Sequence, residues 1–130
     1  MKNIFLFVIV TLLFMSTISV SSAQTSSEAK VLRHVVLFKF KDSSTPEDVK
    51  KVEAAFADLA VKLPIIKSYE WGKNSSPENL NQGLTHCFLL TFSNDKDRDA
   101  YLVHPDHKAF GKILGPHLDK VTVVDYWTEK

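Results

Sequence analysis

Three stretches of this chain alternate like β-strands yet carry apolar residues on both sides, and a sheet built from them needs cover on both faces. In residues 32–40 (LRHVVLFKF), Leu32, His34, Val36, Phe38 and Phe40 share one face, while Arg33, Val35, Leu37 and Lys39 share the other. Residues 84–92 repeat the arrangement, with Leu84, His86, Phe88, Leu90 and Phe92 opposite Thr85, Cys87, Leu89 and Thr91. A last strand over residues 121–127 adds Val124 and Tyr126 to the second face.

Between these strands the pattern changes period. Thr45-Pro46-Glu47-Asp48 supplies an N-cap, a first-turn proline and two early carboxylates that suit a helix N-terminus. Val49, Val52, Phe56, Leu59 and Leu63 follow at spacings of three and four, forming one apolar stripe, and Pro64 ends the helix. Residues 65–72 make a second strand, and the turn formers of residues 73–83 (KNSSPENLNQG) make a long surface loop. Ser93-Asn94-Asp95 caps a short helix through Tyr101, and His104-Pro105 opens another that runs to about Leu114.

The order β-α-β-β-α-α-β predicts an α+β fold of the ferredoxin-like kind, an antiparallel four-stranded sheet with helices on one face. A single small domain has too few helices to cover such a sheet twice. A second copy, packed sheet to sheet about a two-fold axis, covers the remaining apolar face, so the expected assembly is a homodimer forming a dimeric α+β barrel.

The chain has 130 residues, enough for one domain. Residues 1–23 read as a cleavable signal peptide, with Lys2 in the n-region, an apolar run from Ile4 to Met15 and the small residues Ser21-Ser22-Ala23 at the cleavage site. Residues 24–30 (QTSSEAK) form a flexible lead-in and residues 31–130 the folded domain. The expected location is therefore outside the cytoplasm, in the periplasm or secreted. Removing the leader takes away Lys2 and brings the formal net charge from +1 to zero, which leaves no general attraction for nucleic acid or an anionic membrane. Cys87 is the one cysteine, so stability rests on packing, and its place in a strand makes it a buried core residue in this reading.

The residues that can carry chemistry gather on the helix-side face. His34 and His86 share its parity with Phe38 and Phe88, and Phe56 faces it from the first helix. Tyr101, His104 and His107 lie in the run YLVHPDH at the junction of two short helices, with Asp106 and Asp125 as orienting carboxylates. An aromatic pocket closed by histidine and tyrosine suits general acid–base chemistry on a small apolar, oxygenated molecule, because imidazole takes and returns a proton near neutral pH. The plainer alternative is that these histidines serve packing and hydrogen bonding only. His104, His107 and His117 do not complete a zinc motif of known spacing, and nucleophile elbows, phosphate loops and dinucleotide fingerprints are missing, so neither a metal nor any cofactor is expected.

RHVVLFKFKD (33–42), YEWGKN (69–74), THCFLLTF (85–92), YLVHPDHKAFG (101–111) and VVDYW (123–127) together resemble the stress-responsive A/B barrel family, Dabb, whose members are dimeric α+β barrels. The family includes polyketide cyclases that close a linear chain by an aldol step without a cofactor. That resemblance implies catalytic roles for His107 as base and Tyr101 as the residue that positions and polarises the substrate. His34, His86, Phe38, Phe56, Phe88 and His104 would line the substrate pocket. The sequence departs from the cyclase pattern at Phe56, where a tyrosine is expected, and at Leu84, where an aromatic is expected. The functional expectation is an exported homodimer that binds a small apolar molecule and acts as a cyclase-like lyase; the alternative is a stress-associated dimer without turnover.

Overall fold

The computed structural model describes residues 29–129. The expected signal peptide and residues 24–28 of the lead-in lie outside the described residues. Seven elements follow one another: β1 (Leu32–Phe40), α1 (Pro46–Lys62), β2 (Ser68–Lys73), β3 (His86–Phe92), α2 (Asp95–Val103), α3 (Pro105–Leu114) and β4 (Leu118–Trp127). The four strands form one sheet in the order β2-β3-β1-β4, and every neighbouring pair is antiparallel. This is the ferredoxin-like arrangement that the element order predicts, with β3 inserted between β1 and β2, and β1 between β3 and β4.

The period-two pattern of β1 decides which side is the core. Leu32, His34, Val36 and Phe38 are buried, and so are His86, Phe88, Leu90 and Phe92 on β3. Register aligns these sets, pairing His34 with Leu90, Val36 with Phe88 and Phe38 with His86. Helix α1 lays Val52, Phe56 and Leu59 on this face. Thr45 caps it through a reciprocal box with Asp48, at 3.2 Å and 3.1 Å, and the backbone N–H of Leu63 closes its far end on Leu59 O just before Pro64. Phe110 and Leu114 of α3 and Tyr101 of α2 complete the core.

Among the described residues no helix covers the opposite face. Val35, Leu37 and Leu89 are half-buried there, and Val124 and Tyr126 are exposed to about half their area, 50% and 47%. Cys87, expected as a buried strand residue, belongs to this open face and is exposed, because its parity sets it opposite His86 and Phe88.

Strand ends differ by a few residues from the sequence reading. Pro64 and Ile65 form a turn, so β2 starts at Ser68 and runs on to Lys73. Leu84 closes a turn onto Asn81, so β3 starts at His86. Strand β4 begins earlier than expected, at Leu118, because the ladder with β1 continues past an irregularity at Lys39 and Phe40 until Phe40 meets Leu118.

Candidate functional site

The junction of α2 and α3 builds the site locally. His104 ends α2 and starts α3: its backbone N–H bonds to Tyr101 O at 3.1 Å, and its Nδ1 accepts from the backbone N–H of Asp106 at 3.1 Å as the N-cap of α3. Pro105 then occupies the first turn, where its missing N–H costs nothing. The chain therefore reverses direction between the last turn of α2 and the first turn of α3. Tyr101 and His107 meet across that bend with ring centroids 4.5 Å apart.

A helix leaves its last carbonyls without intrahelical partners. One of them, Leu102 O, accepts a hydrogen bond from His107 Nδ1 at 3.1 Å. That bond assigns the proton to Nδ1 and leaves the Nε2 lone pair free, which is the tautomer a general base needs. Burial pushes the His107 pKa below its ordinary value; the Leu102 carbonyl acts against this, and nearby His34 adds to it. At neutral pH the ring is an uncharged base. Tyr101 is 1% exposed, and burial, reinforced by Tyr69, raises its phenol well above the ordinary value, so it stays a neutral hydrogen-bond donor.

His34 enters from the sheet. Its ring stands edge-on to Tyr101 at 5.7 Å, so Tyr101 neighbours both His34 and His107. Across the sheet, His34 and Asp125 are register partners on β1 and β4, and Asp125 Oδ1 accepts from His34 Nδ1 at 2.6 Å. This fixes the orientation of the second imidazole, with Nδ1 turned to Asp125.

These side chains line a cleft of about 310 Å³ between the sheet and α2–α3. Phe38, Phe56, Phe110 and Leu114 form its apolar floor, and half-exposed Val121, Val123 and Leu102 form its mouth. Among the described residues no lysine or arginine lines it. Its chemistry is that of a mostly apolar chamber holding one phenol, two imidazoles and, at its wall, the carboxylate of Asp125.

Of the residues singled out from sequence, His34, Phe38, Phe56, Tyr101 and His107 come together here. His86, Phe88 and His104 do not line this cleft. His86 lies at the other end of the core face, where Nε2 bonds Glu53 Oε1 at 3.0 Å, Nδ1 meets Thr85 Oγ1 at 2.8 Å, and Trp71 stacks on the ring at 6.1 Å. Phe88 is fully buried beneath Phe56 and Phe38. His104 is spent on capping. Asp106 approaches His104, at 3.7 Å, rather than His107. Among the described residues no cluster of three or more His, Cys, Asp or Glu is arranged to hold a metal ion.

Sequence reasoning missed Glu53 as the partner of His86 and Arg98 as the partner of Asp125. No local signal marks either pair, because Glu53 meets His86 and Arg98 meets Asp125 only across separate elements of the fold.

A ferredoxin-like sheet whose helix-side cleft holds a tyrosine in contact with two histidines defines a small α+β barrel protein with an apolar cleft. The chain belongs to the stress responsive A/B barrel domain family, whose model matches residues 32–128. It is 40% identical over 95 residues to the stress-response A/B barrel domain-containing protein HS1 of Arabidopsis thaliana, covering 73% of this chain and 87% of that protein. It is 28% identical over 99 residues to olivetolic acid cyclase of Cannabis sativa, covering 76% of this chain and 98% of the cyclase. Among solved structures, a dimeric ferredoxin-like protein from Thermobifida fusca matches with a TM-score of 0.66 at 27% identity, covering 76% of this chain and 92% of that one.

Proposed function

We propose that this protein is an exported homodimer that binds a small, largely apolar, oxygenated molecule in the α2–α3 cleft and turns it over by cofactor-free acid–base chemistry of the cyclase or lyase type. The observation that carries the reading is the pairing of a base and a donor: His107 is held by Leu102 O with Nε2 free, and the neutral Tyr101 phenol lies beside it. In such a site His107 Nε2 takes a proton from carbon next to a carbonyl, while the Tyr101 hydroxyl donates a hydrogen bond to the carbonyl oxygen as negative charge develops there. In an aldol closure the enolate carbon attacks a second carbonyl carbon, whose C=O π pair becomes an alkoxide that takes the proton back from His107; in the reverse direction His107 takes the hydroxyl proton, the carbon–carbon bond breaks, and the enolate that leaves is reprotonated by His107. The similarity to olivetolic acid cyclase supports this reaction class.

Dimerisation is supported by the apolar face of Val35, Leu37, Leu89, Val124 and Tyr126, which no helix among the described residues covers, and by the dimeric Thermobifida fusca neighbour. Export is supported by the apolar leader with its small-residue cleavage site. Among the described residues no helix is long and apolar enough to cross a membrane.

The test is mass spectrometry of small molecules that co-purify with the mature protein, comparing wild type with His107→Ala and Tyr101→Phe. Retention of a ligand by wild type, and its loss or lack of conversion in the variants, is the expected result. A ligand held equally by all three would place binding elsewhere. No ligand in any of them, together with unchanged dimer stability, would favour a dimer without turnover. N-terminal sequencing of the exported chain tests cleavage after Ala23.

A further inference from the structure

Arg98 does not line the cleft, yet its guanidinium is tied to the cleft wall. From α2 it donates through Nη1 to Asp125 Oδ2, through Nε to Asp99 Oδ1 at 2.7 Å and through Nη2 to Asp95 Oδ1 at 3.4 Å. The other oxygen of Asp125 holds His34 Nδ1 at 2.6 Å. One carboxylate on β4 therefore bridges a permanent cation outside the cleft and an imidazole inside it. The Arg98 and Asp125 side chains are 20% and 25% exposed, whereas that of His34 is 5% exposed.

We propose that Arg98 is a positioning residue that keeps His34 neutral, with its proton on Nδ1 and its Nε2 bare, by matching the charge of Asp125 before His34 can. The inference rests on the reading of the cleft as the ligand site. A guanidinium is charged at any physiological pH. With Arg98 in place, the negative charge of Asp125 is already balanced, so a second positive charge on His34 gains little attraction and still bears the full cost of leaving water. Without Arg98, a half-buried carboxylate faces His34 alone and draws a proton onto Nε2. The other groups packed against His34 do not change this balance: Phe92 from β3 carries no charge, Tyr101 from α2 is a neutral phenol, and His107 from α3 is a neutral base. Asp95 and Asp99, the remaining partners of Arg98, are 60% and 66% exposed and are screened by water.

The consequence reaches both imidazoles. A neutral His34 offers an acceptor to the cleft, and it keeps a full positive charge away from the base, His107, whose proton affinity a charged His34 lowers through space. A charged His34 would add a donor where an acceptor stood and would depress the basicity of His107 further.

The experiment is a long-range proton–nitrogen correlation of the imidazole rings at neutral pH, on the full mature chain, for wild type, Arg98→Lys and Arg98→Gln. The lysine keeps the charge, whereas the glutamine keeps hydrogen-bonding capacity without it. His34 is expected to show one protonated and one bare nitrogen in wild type and Arg98→Lys, and to lose the bare-nitrogen signal in Arg98→Gln. A His34 protonated on both nitrogens in wild type overturns the proposal by itself, whether or not a variant folds. A bare nitrogen retained in Arg98→Gln overturns it as well. Because this readout needs no ligand, an empty cleft in the co-purification test refutes the functional reading without touching the Arg98 result.

Discussion

Glu53→Ala separates the two ends of the core face. Glu53 lies on α1 and accepts from His86 Nε2 at 3.0 Å and from Lys73 Nζ at 3.1 Å. The His86 side chain is 6% exposed, whereas that of Lys73 is 62% exposed. Truncating the carboxylate leaves a buried imidazole nitrogen without its partner, which costs roughly 1–3 kcal/mol, while the exposed lysine loses at most a few tenths. Alanine is the better helix former, so α1 itself does not weaken. A central loss of about 2 kcal/mol corresponds to a fall in Tm of roughly 10 °C for a domain of this size. Differential scanning calorimetry at matched protein concentration measures it, with Lys73→Ala as the near-neutral control. Burial pushes the Glu53 carboxyl up, but the bonds from His86 and Lys73 together outweigh burial and hold it below its ordinary value. A carboxyl depressed in the folded state stabilises the protein above its unfolded pKa and loses that contribution as pH falls through the folded one, so the gap between wild type and variant should close on acidification. An unchanged Tm, or a gap that widens as pH falls, would refute the account of His86 as a structural bridge.

Three further outcomes follow from the same structure. His107 is depressed by burial, so below its unfolded pKa the unfolded chain binds the proton more readily; wild type should lose stability as pH drops below about 6.5, and His107→Gln should flatten that slope in denaturant titrations. Phe56 is 1% exposed and stacks on Phe38, Phe88 and Phe110, so Phe56→Ala should cost about 3–5 kcal/mol in urea unfolding. Val124 faces Val35 across the open side of the sheet, so Val124→Asp should convert the dimer into a folded monomer by light scattering, with an unchanged circular dichroism spectrum.

The sequence made much of this fold legible because its signals were local. β1 is complete at both ends in the alternation of LRHVVLFKF, and the Thr45-Pro46-x-Asp48 box marks the start of α1. The parity of His34 and His86 likewise put both on the core face, but parity gives a face and not a position along a strand. His86 is paired with Phe38, four residues along β1 from His34, and at ~3.3 Å per residue that places the two positions about 13 Å apart along the strand direction. Register, a non-local property, therefore sends His86 to Glu53 and leaves His34 with Tyr101. The same limit hid Arg98: its partner, Asp125, is 27 residues away and comes within reach only once β4 pairs with β1. The short α2–α3 bend was readable from His104-Pro105, but the bond from His107 to Leu102 O needs the actual turn geometry.

The central claim is that the α2–α3 cleft is where this protein meets its ligand, and a titration of small apolar phenols and ketones into nitrogen-labelled protein tests it most directly. The account expects amide and imidazole shifts at His34, Tyr101, His107 and Gly111, which line the cleft, with His86 and Trp71 unmoved. Shifts confined to the open face around Val35, Cys87 and Tyr126, or to the His86 end, would contradict it.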